Sequence, residues 1–231
     1  MAGTHILIAD DHPLFRDALA QALQADGHDD HLACVSLSQS ESLDAAIEAL
    51  KQDDTIDLIL LDLTMPGMRG LSGLMYLRAE FPGTPVIVVT GSETPAIARR
   101  CIEFGASGFV PKSLDVPEMR QAISAVISGD IWVPSDFSGD AAREDEMAAV
   151  AERLASLTPQ QVRVLMMLGE GLLNKQIAYE LGVSEATVKA HVSAILQKLE
   201  VDSRTQAVIL VNRIDGLQRD HALMDVDDNT G

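Results

Sequence analysis

Leu58-Ile59-Leu60-Leu61 runs without a polar interruption into Asp62, and the turn residues Met65-Pro66-Gly67 follow at once. A short apolar run bounded in this way reads as a strand buried on both faces of a parallel sheet. Asp62 would then stand at its carboxyl end, the edge where open α/β sheets bind ligands. A charge there is costly unless something pairs with it. The pattern repeats along the first half of the chain. Apolar runs at 5–9, 32–37, 57–61, 86–90 and 108–110 alternate with helix-period segments at 13–25, 39–52, 70–81, 95–105 and 116–128. Strands alternating with helices imply right-handed βαβ crossovers. The expected fold is α/β, a five-stranded doubly wound parallel sheet in the flavodoxin-like order 2-1-3-4-5.

The polar residues at the strand ends fall on one edge of that sheet. Strand 1 ends in Asp10-Asp11, strand 3 in Asp62, strand 4 in Thr90-Gly91, and strand 5 is followed by Pro111-Lys112. Three carboxylates so placed cannot all be ionised without a cation. Hard oxygen ligands with room for water suit Mg²⁺. Asp62 could then attack a phosphoryl group as a nucleophile, with Mg²⁺ and Lys112 stabilising the equatorial oxygens. A phosphohydrolase built on the same nucleophile needs a second Asp two residues on as general acid. Thr64 stands there instead.

Residues 5–128 resemble a response-regulator receiver domain in Asp10-Asp11-His12-Pro13, Asp62-Leu63-Thr64-Met65-Pro66-Gly67, Thr90-Gly91 and Gly108-Phe109-Val110-Pro111-Lys112. The resemblance implies that Asp62 is the phosphoacceptor and that a sensor histidine kinase supplies the phosphoryl group. It implies Mg²⁺ held by Asp11, Asp62 and the Thr64 backbone carbonyl, with Asp10 acting through water. Thr90 would hydrogen-bond the phosphoryl oxygen, Lys112 would pair with it, and Phe109 would be the mobile aromatic. Such a domain is not an enzyme in the ordinary sense; it catalyses its own phosphorylation and dephosphorylation. Gly91 departs from the alanine the family more often carries.

The second half changes character. Residues 1–130, the expected phosphoacceptor domain, hold 8 Lys+Arg against 19 Asp+Glu, a net −11, whereas 156–213 hold 6 against 5, a net +1. The connector 131–155 is acidic. Pro134, Ser135, Ser138 and Gly139 interrupt it before Met147, Val150, Leu154 and Leu157 recur at helical spacing, which predicts a helix over 141–156. Whether that helix packs on a domain or pairs across a dimer is left open by the spacing. Residues 214–231 form an acidic tail, expected to be disordered.

Within 156–213, Thr158-Pro159-Gln160-Gln161 is a capping box with proline at the first helical position. Helices follow to Gly169, over 174–181, and from Ser184 to about Leu199; Ser203 and Gln206 predict a capping box for a fourth. Two short helices joined at Gly182-Val183 describe a helix-turn-helix. Val188, Val192, Ile195, Leu196 and Leu199 share one stripe, so the second helix turns the opposite face outward. Base contacts would come from Lys189, Ala190 and Ser193; Lys175, Thr187, His191 and Lys198 are placed for DNA phosphates. Leu157-Thr158-Pro159, Gly171-Leu172-Leu173-Asn174-Lys175-Gln176-Ile177-Ala178 and Ser184-Glu185-Ala186-Thr187-Val188-Lys189-Ala190-His191-Val192 resemble the LuxR-type DNA-binding domain. With the receiver, the whole resembles a NarL/FixJ-type response regulator. That implies a four-helix output domain binding a double-stranded operator as a homodimer, with Gln206, Ala207, Leu210 and Val211 at the dimer contact.

Composition excludes other classes. Aromatic residues make up 3 % of the chain, against an aromatic-lined ligand cavity. Cys34 and Cys101 have no metal spacing and read as core thiols. No signal segment is expected, and no apolar run approaches the ~18 residues of a membrane span; the expectation is a cytoplasmic protein without membrane contact.

Overall fold

The computed structural model describes residues 3–24, 35–66, 68, 70–135 and 144–216, with side chains described except at 144–149 and 211–216. The chain divides into two compact units, Met1–Ala141 and Ala142–Gly231.

In the first unit β1 (Thr4–Ala9), α1 (Pro13–Gln24), β2 (Val35–Ser40), α2 (Leu43–Gln52), β3 (Leu58–Leu61), α3 (Ser72–Glu80), β4 (Val86–Thr90), α4 (Pro95–Glu103), β5 (Gly108–Pro111) and α5 (Val116–Ile127) alternate as the apolar runs predict. The strands pair in parallel in the order β2-β1-β3-β4-β5. Every side chain of β3 is at most 2 % exposed. Burying each is worth about 1.5–3 kcal/mol, so this strand belongs at the centre. Ile6, Ile8, Leu58, Leu60, Ile87, Val89 and Val110 pack in one cluster with Leu19 and Leu23 of α1 and Met119, Ile123 and Val126 of α5. Strand alternation sends Leu7, Ile59, Leu61, Val88 and Phe109 to the opposite face, where all are buried.

The boundaries differ most at β2. It runs over Val35–Ser40 and so ends past the expected 37, while residues 32–34 lie outside the described residues; α2 begins at Leu43 rather than 39, capped by Ser42, whose side chain accepts from the Ala45 amide. β2 is an edge strand with Ser36, Ser38 and Gln39 among its residues, so an apolar run does not mark its length. Cys34 lies outside the described residues; Cys101 is fully buried, and burial pushes its thiol up.

The opposite edge carries an unforeseen feature. Trp132, just past the end of α5, forms a parallel bridge with Gly108. Its amide donates to Ser107 O at 3.1 Å, and its carbonyl accepts from the Phe109 amide at 3.0 Å. A Cβ at residue 108 would stand 3.2 Å from Ile87, 3.3 Å from Val126 and 3.4 Å from the Trp132 carbonyl. Glycine is what lets the departing chain lie against the edge strand.

The second unit comprises α6 (Glu144–Ala155), α7 (Pro159–Gly169), α8 (Asn174–Leu181), α9 (Glu185–Leu199) and α10 (Arg204–Gly216). The connector helix α6 packs on α9 within this unit. Ala151, Leu154 and Leu157 are buried there, and Arg153 pairs with Glu200 at 2.8 Å. Thr158 and Gln161 form the expected capping box. At α10 the Ser203 hydroxyl accepts from the Gln206 amide as expected, but the Gln206 side chain accepts from the amide of Asp202 instead of that of Ser203. α10 continues to Gly216, past the expected end at 213, and the rest of the acidic tail lies outside the described residues. Among the described residues, no helix is long and apolar enough to cross a membrane.

Candidate functional site

The parallel registry brings the polar strand ends together. The Asp62 amide donates to Ala9 O at 2.8 Å, which fixes Asp62 beside Asp10; Lys112 N donates to Thr90 O, also at 2.8 Å, which fixes the fifth strand end beside the fourth. Asp10 and Asp62 are 2 % and 1 % exposed, while Asp11 is partly exposed. Lys112 reaches across the edge, its Nζ 2.7 Å from Asp10 Oδ2 and 3.1 Å from Asp62 Oδ2. The Thr64 hydroxyl donates to the same Asp62 oxygen at 2.7 Å. The Lys112 ammonium also lies 4.7 Å from the centre of the Phe15 ring, a cation–π contact. Burial works to lower the Lys112 pKa, but the Asp10 and Asp62 carboxylates outweigh it and hold the ammonium above the ordinary lysine range.

Two buried carboxylates and a third beside them face one lysine, a charge balance that calls for another cation. Asp10 Oδ2 meets the Lys112 ammonium as an ion pair and Asp11 Oδ1 meets the His12 ring, but neither accepts a well-directed hydrogen bond. Oxygen atoms of Asp10, Asp11 and Asp62 and a nitrogen of His12 lie within 4.8 Å of one another. The donor set fits a hard divalent ion such as Mg²⁺.

Thr90 ends β4, 2 % exposed, and its hydroxyl accepts from the Ser92 amide at 3.2 Å. Phe109 is fully buried. His12 and Phe15 beside the pocket are additions to the expected set. Both follow directly on Asp10-Asp11, in the first turn of α1 or just before it, and that adjacency was the available signal.

In the second unit Gly182, in the left-handed conformation at φ 64°, ends α8, and the Ser184 side chain caps α9 by accepting from the Thr187 amide. Val188, Ile195 and Leu199 are fully buried, Val192 and Leu196 partly so, which points the expected stripe inward. Lys175, Thr187, Lys189, Ala190 and Ser193 are exposed and His191 is half-buried. Lys189 forms an ion pair with Glu185 at 3.0 Å. Lys198 is committed elsewhere: its ammonium donates to Ser156 O at 2.6 Å and Gln161 Oε1 at 2.9 Å, tying the end of α9 to the α6–α7 turn. Arg204 at the start of α10 binds Leu172 O and reaches Asn174, which anchors the entry to α8.

Comparison with known proteins agrees in both units. The response regulator receiver domain family matches residues 6–124, and the luxR family of bacterial regulatory proteins matches 155–211. The glycerol metabolism activator of Pseudomonas putida is 41 % identical over 216 residues, covering 91 % of this chain and 96 % of that protein. The nitrate/nitrite response regulator NarP of Escherichia coli is 37 % identical over 214 residues, covering 92 % and 96 %. A structure of RcsB from Salmonella enterica serovar Typhimurium, bound to a promoter in the presence of the phosphomimetic BeF3−, shares the fold with a TM-score of 0.51 and 24 % identity, covering 91 % of this chain and 98 % of that one. A parallel sheet with an acidic pocket at its carboxyl edge, a following helix-turn-helix, and family matches across both make this chain a response regulator of the NarL type, a transcription regulator with a receiver domain and a LuxR-type DNA-binding domain.

Proposed function

We propose that this regulator accepts a phosphoryl group on Asp62 from a sensor histidine kinase and then binds a double-stranded operator as a dimer, in the cytoplasm. The observation that carries the first step is Asp62 itself. It is almost fully buried at the end of β3, with one oxygen held by the Lys112 ammonium and the Thr64 hydroxyl. In the transfer, a carboxylate oxygen of Asp62 forms a bond to phosphorus as the bond to the donor's imidazole nitrogen breaks. Lys112, already charged and in place, balances the negative phosphoryl oxygens. Thr90 would donate its hydroxyl proton to one of them, while its oxygen can go on accepting from the Ser92 amide. Asp11, Asp62 and the Thr64 carbonyl would hold Mg²⁺ directly and Asp10 through water; the ion would supply charge neutralisation to the transferring group. Phe109 already lies inward in this structure, so phosphorylation would hold that position rather than create it.

For the second step, the exposed Lys189, Ala190 and Ser193 would meet base edges, with Lys175, Thr187 and His191 on phosphates. Lys198 would reach a phosphate only by leaving Ser156 and Gln161. Of the dimer residues, Ala207 is fully buried within its own unit and Gln206 is bonded to Asp202. The contact would therefore run along Leu210, with Ile209, 47 % exposed, beside it; the Val211 side chain lies outside the described residues. A DNA-binding unit near +1 gains little from phosphates alone, and two linked units convert the second contact into an intramolecular one.

The test is intact mass spectrometry after incubation with acetyl phosphate and Mg²⁺. One phosphate adduct is expected on the parent protein and none on Asp62→Asn. An adduct that persists on Asp62→Asn removes that residue from the reading.

A further inference from the structure

We propose that His12 is a nitrogen donor to the cation site, so that the site takes imidazole-accepting divalent ions, Co²⁺ and Mn²⁺ among them, beside Mg²⁺. The inference rests on the reading of Asp10, Asp11 and Asp62 as a divalent-cation site. Its own evidence is the position of the His12 ring. Nδ1 stands 2.8 Å from Asp11 Oδ1, 3.1 Å from Asp10 Oδ1 and 4.0 Å from Asp62 Oδ2. An octahedron with bonds of about 2.1 Å has edges of about 3.0 Å between neighbouring donors and about 4.2 Å between opposite ones. The Asp11 separation falls near the neighbour length and the Asp62 separation near the opposite one, with Asp10, placed to act through water, beside them.

The backbone holds the ring there. The His12 amide donates to Asp10 Oδ1 at 2.8 Å, and the His12 carbonyl accepts from the Arg16 amide at 3.1 Å in the first turn of α1. Pro13, the first residue of that helix, fixes the next φ. Arg16 in turn donates to the Asp10 carbonyl, so the loop that carries both donors is braced from the helix. The plainer role for the ring is to sit as a surface group against the carboxylates, since it is 62 % exposed. In that role the ring N–H would simply be held by the carboxylates, Asp11 at 2.8 Å and Asp10 at 3.1 Å. That role predicts the opposite consequence: a ring that merely occupies the pocket would hinder every cation, whereas a donor helps those that favour nitrogen.

All-oxygen sites favour hard ions, while imidazole adds affinity for the later first-row metals. Replacing His12 therefore separates the ions. In titration calorimetry of the full-length protein, His12→Ala is expected to weaken Co²⁺ binding by roughly tenfold or more while leaving Mg²⁺ nearly unchanged. The spin-echo spectrum of bound Mn²⁺ should show coupling to a nitrogen nucleus in the parent and lose it in His12→Ala. Because the ring is largely exposed, the alanine variant keeps the fold. Asp11→Asn is the companion variant, expected to weaken both Mg²⁺ and Co²⁺. Co²⁺ affinity that is unchanged or raised in His12→Ala, or a parent spectrum without nitrogen coupling, overturns the donor role while Asp11→Asn still reports the site. Parent-like binding of both ions by Asp11→Asn overturns the cation site itself, and the donor role with it.

Discussion

The receiver unit and the DNA-binding unit keep their proposed working residues in opposite conditions. Asp10, Asp62 and Thr90 are at most 2 % exposed, and Lys112 spans two carboxylates. Lys175, Lys189, Ala190 and Ser193 stand on the surface, and Lys189 pairs with Glu185, a neighbour on its own helix. In the first unit the chemistry is part of the core, and each group is held by the others. In the second the core only presents a face, and its residues are free to meet a partner. Substitution in the receiver site should therefore move stability together with function, and substitution on the reading face should move function alone.

Lys112→Met tests the first half of that contrast with the largest effect. It leaves Asp10 and Asp62 buried without their cation. Breaking such a pair costs about 3–5 kcal/mol when fully buried, and partial exposure of the lysine brings the expected loss to about 2–3 kcal/mol. Urea unfolding at neutral pH measures it. Added Mg²⁺ should restore part of the loss, because a bound cation replaces the missing charge. The sign with pH follows from the raised pKa. The pair contributes fully below the unfolded lysine value of about 10.4 and fades as pH climbs through the higher folded value. Parent-like stability of Lys112→Met without Mg²⁺ would break the contrast.

The second half is tested on DNA. Lys189→Ala should cost about 1–3 kcal/mol on a selected operator and relax preference at one base position. Lys175→Ala should weaken selected and scrambled DNA alike and flatten the salt slope by about 1. Neither should shift the urea midpoint. Binding over a salt series reads both, and equal weakening of both DNAs by Lys189→Ala would remove it from the base-reading face.

Gly91→Ala sharpens the boundary between core and surface within the receiver. A Cβ at residue 91 meets nothing within 4 Å, and its backbone is not left-handed. Alanine there should stabilise by about 0.4–1 kcal/mol through the unfolded chain. A rise in melting temperature confirms that the loop after Thr90 has room; a fall would place a hidden contact there.

The same contrast explains what could be read in advance. Asp10, Asp62 and Lys112 were legible because each ends or follows an apolar strand, and parallel pairing forces such ends together. The inward stripe of α9 was legible from the spacing of Val188, Ile195 and Leu199. β2 was not, because as an edge strand it alternates Val35 and Leu37 with serines. Lys198 looked like a phosphate contact because its charge is visible in sequence, while the acceptors that engage it, Ser156 and Gln161, are 42 and 37 residues away. The docking of α6 on α9 is a tertiary fact: the apolar stripe of the helix was visible, but nothing local names its partner.

The bridge at the sheet edge has an optical consequence. Trp132 is the single tryptophan of the chain, and its carbonyl is held by the amide of Phe109. The indole therefore emits from the place where the chain leaving α5 lies against β5, with no second indole to blur the signal. Excitation at the red edge of the absorption band, where tyrosine is dark, isolates it. The unmodified protein thus carries a native fluorophore on the backbone of the proposed switch residue, and events at that strand can be followed in real time without a label.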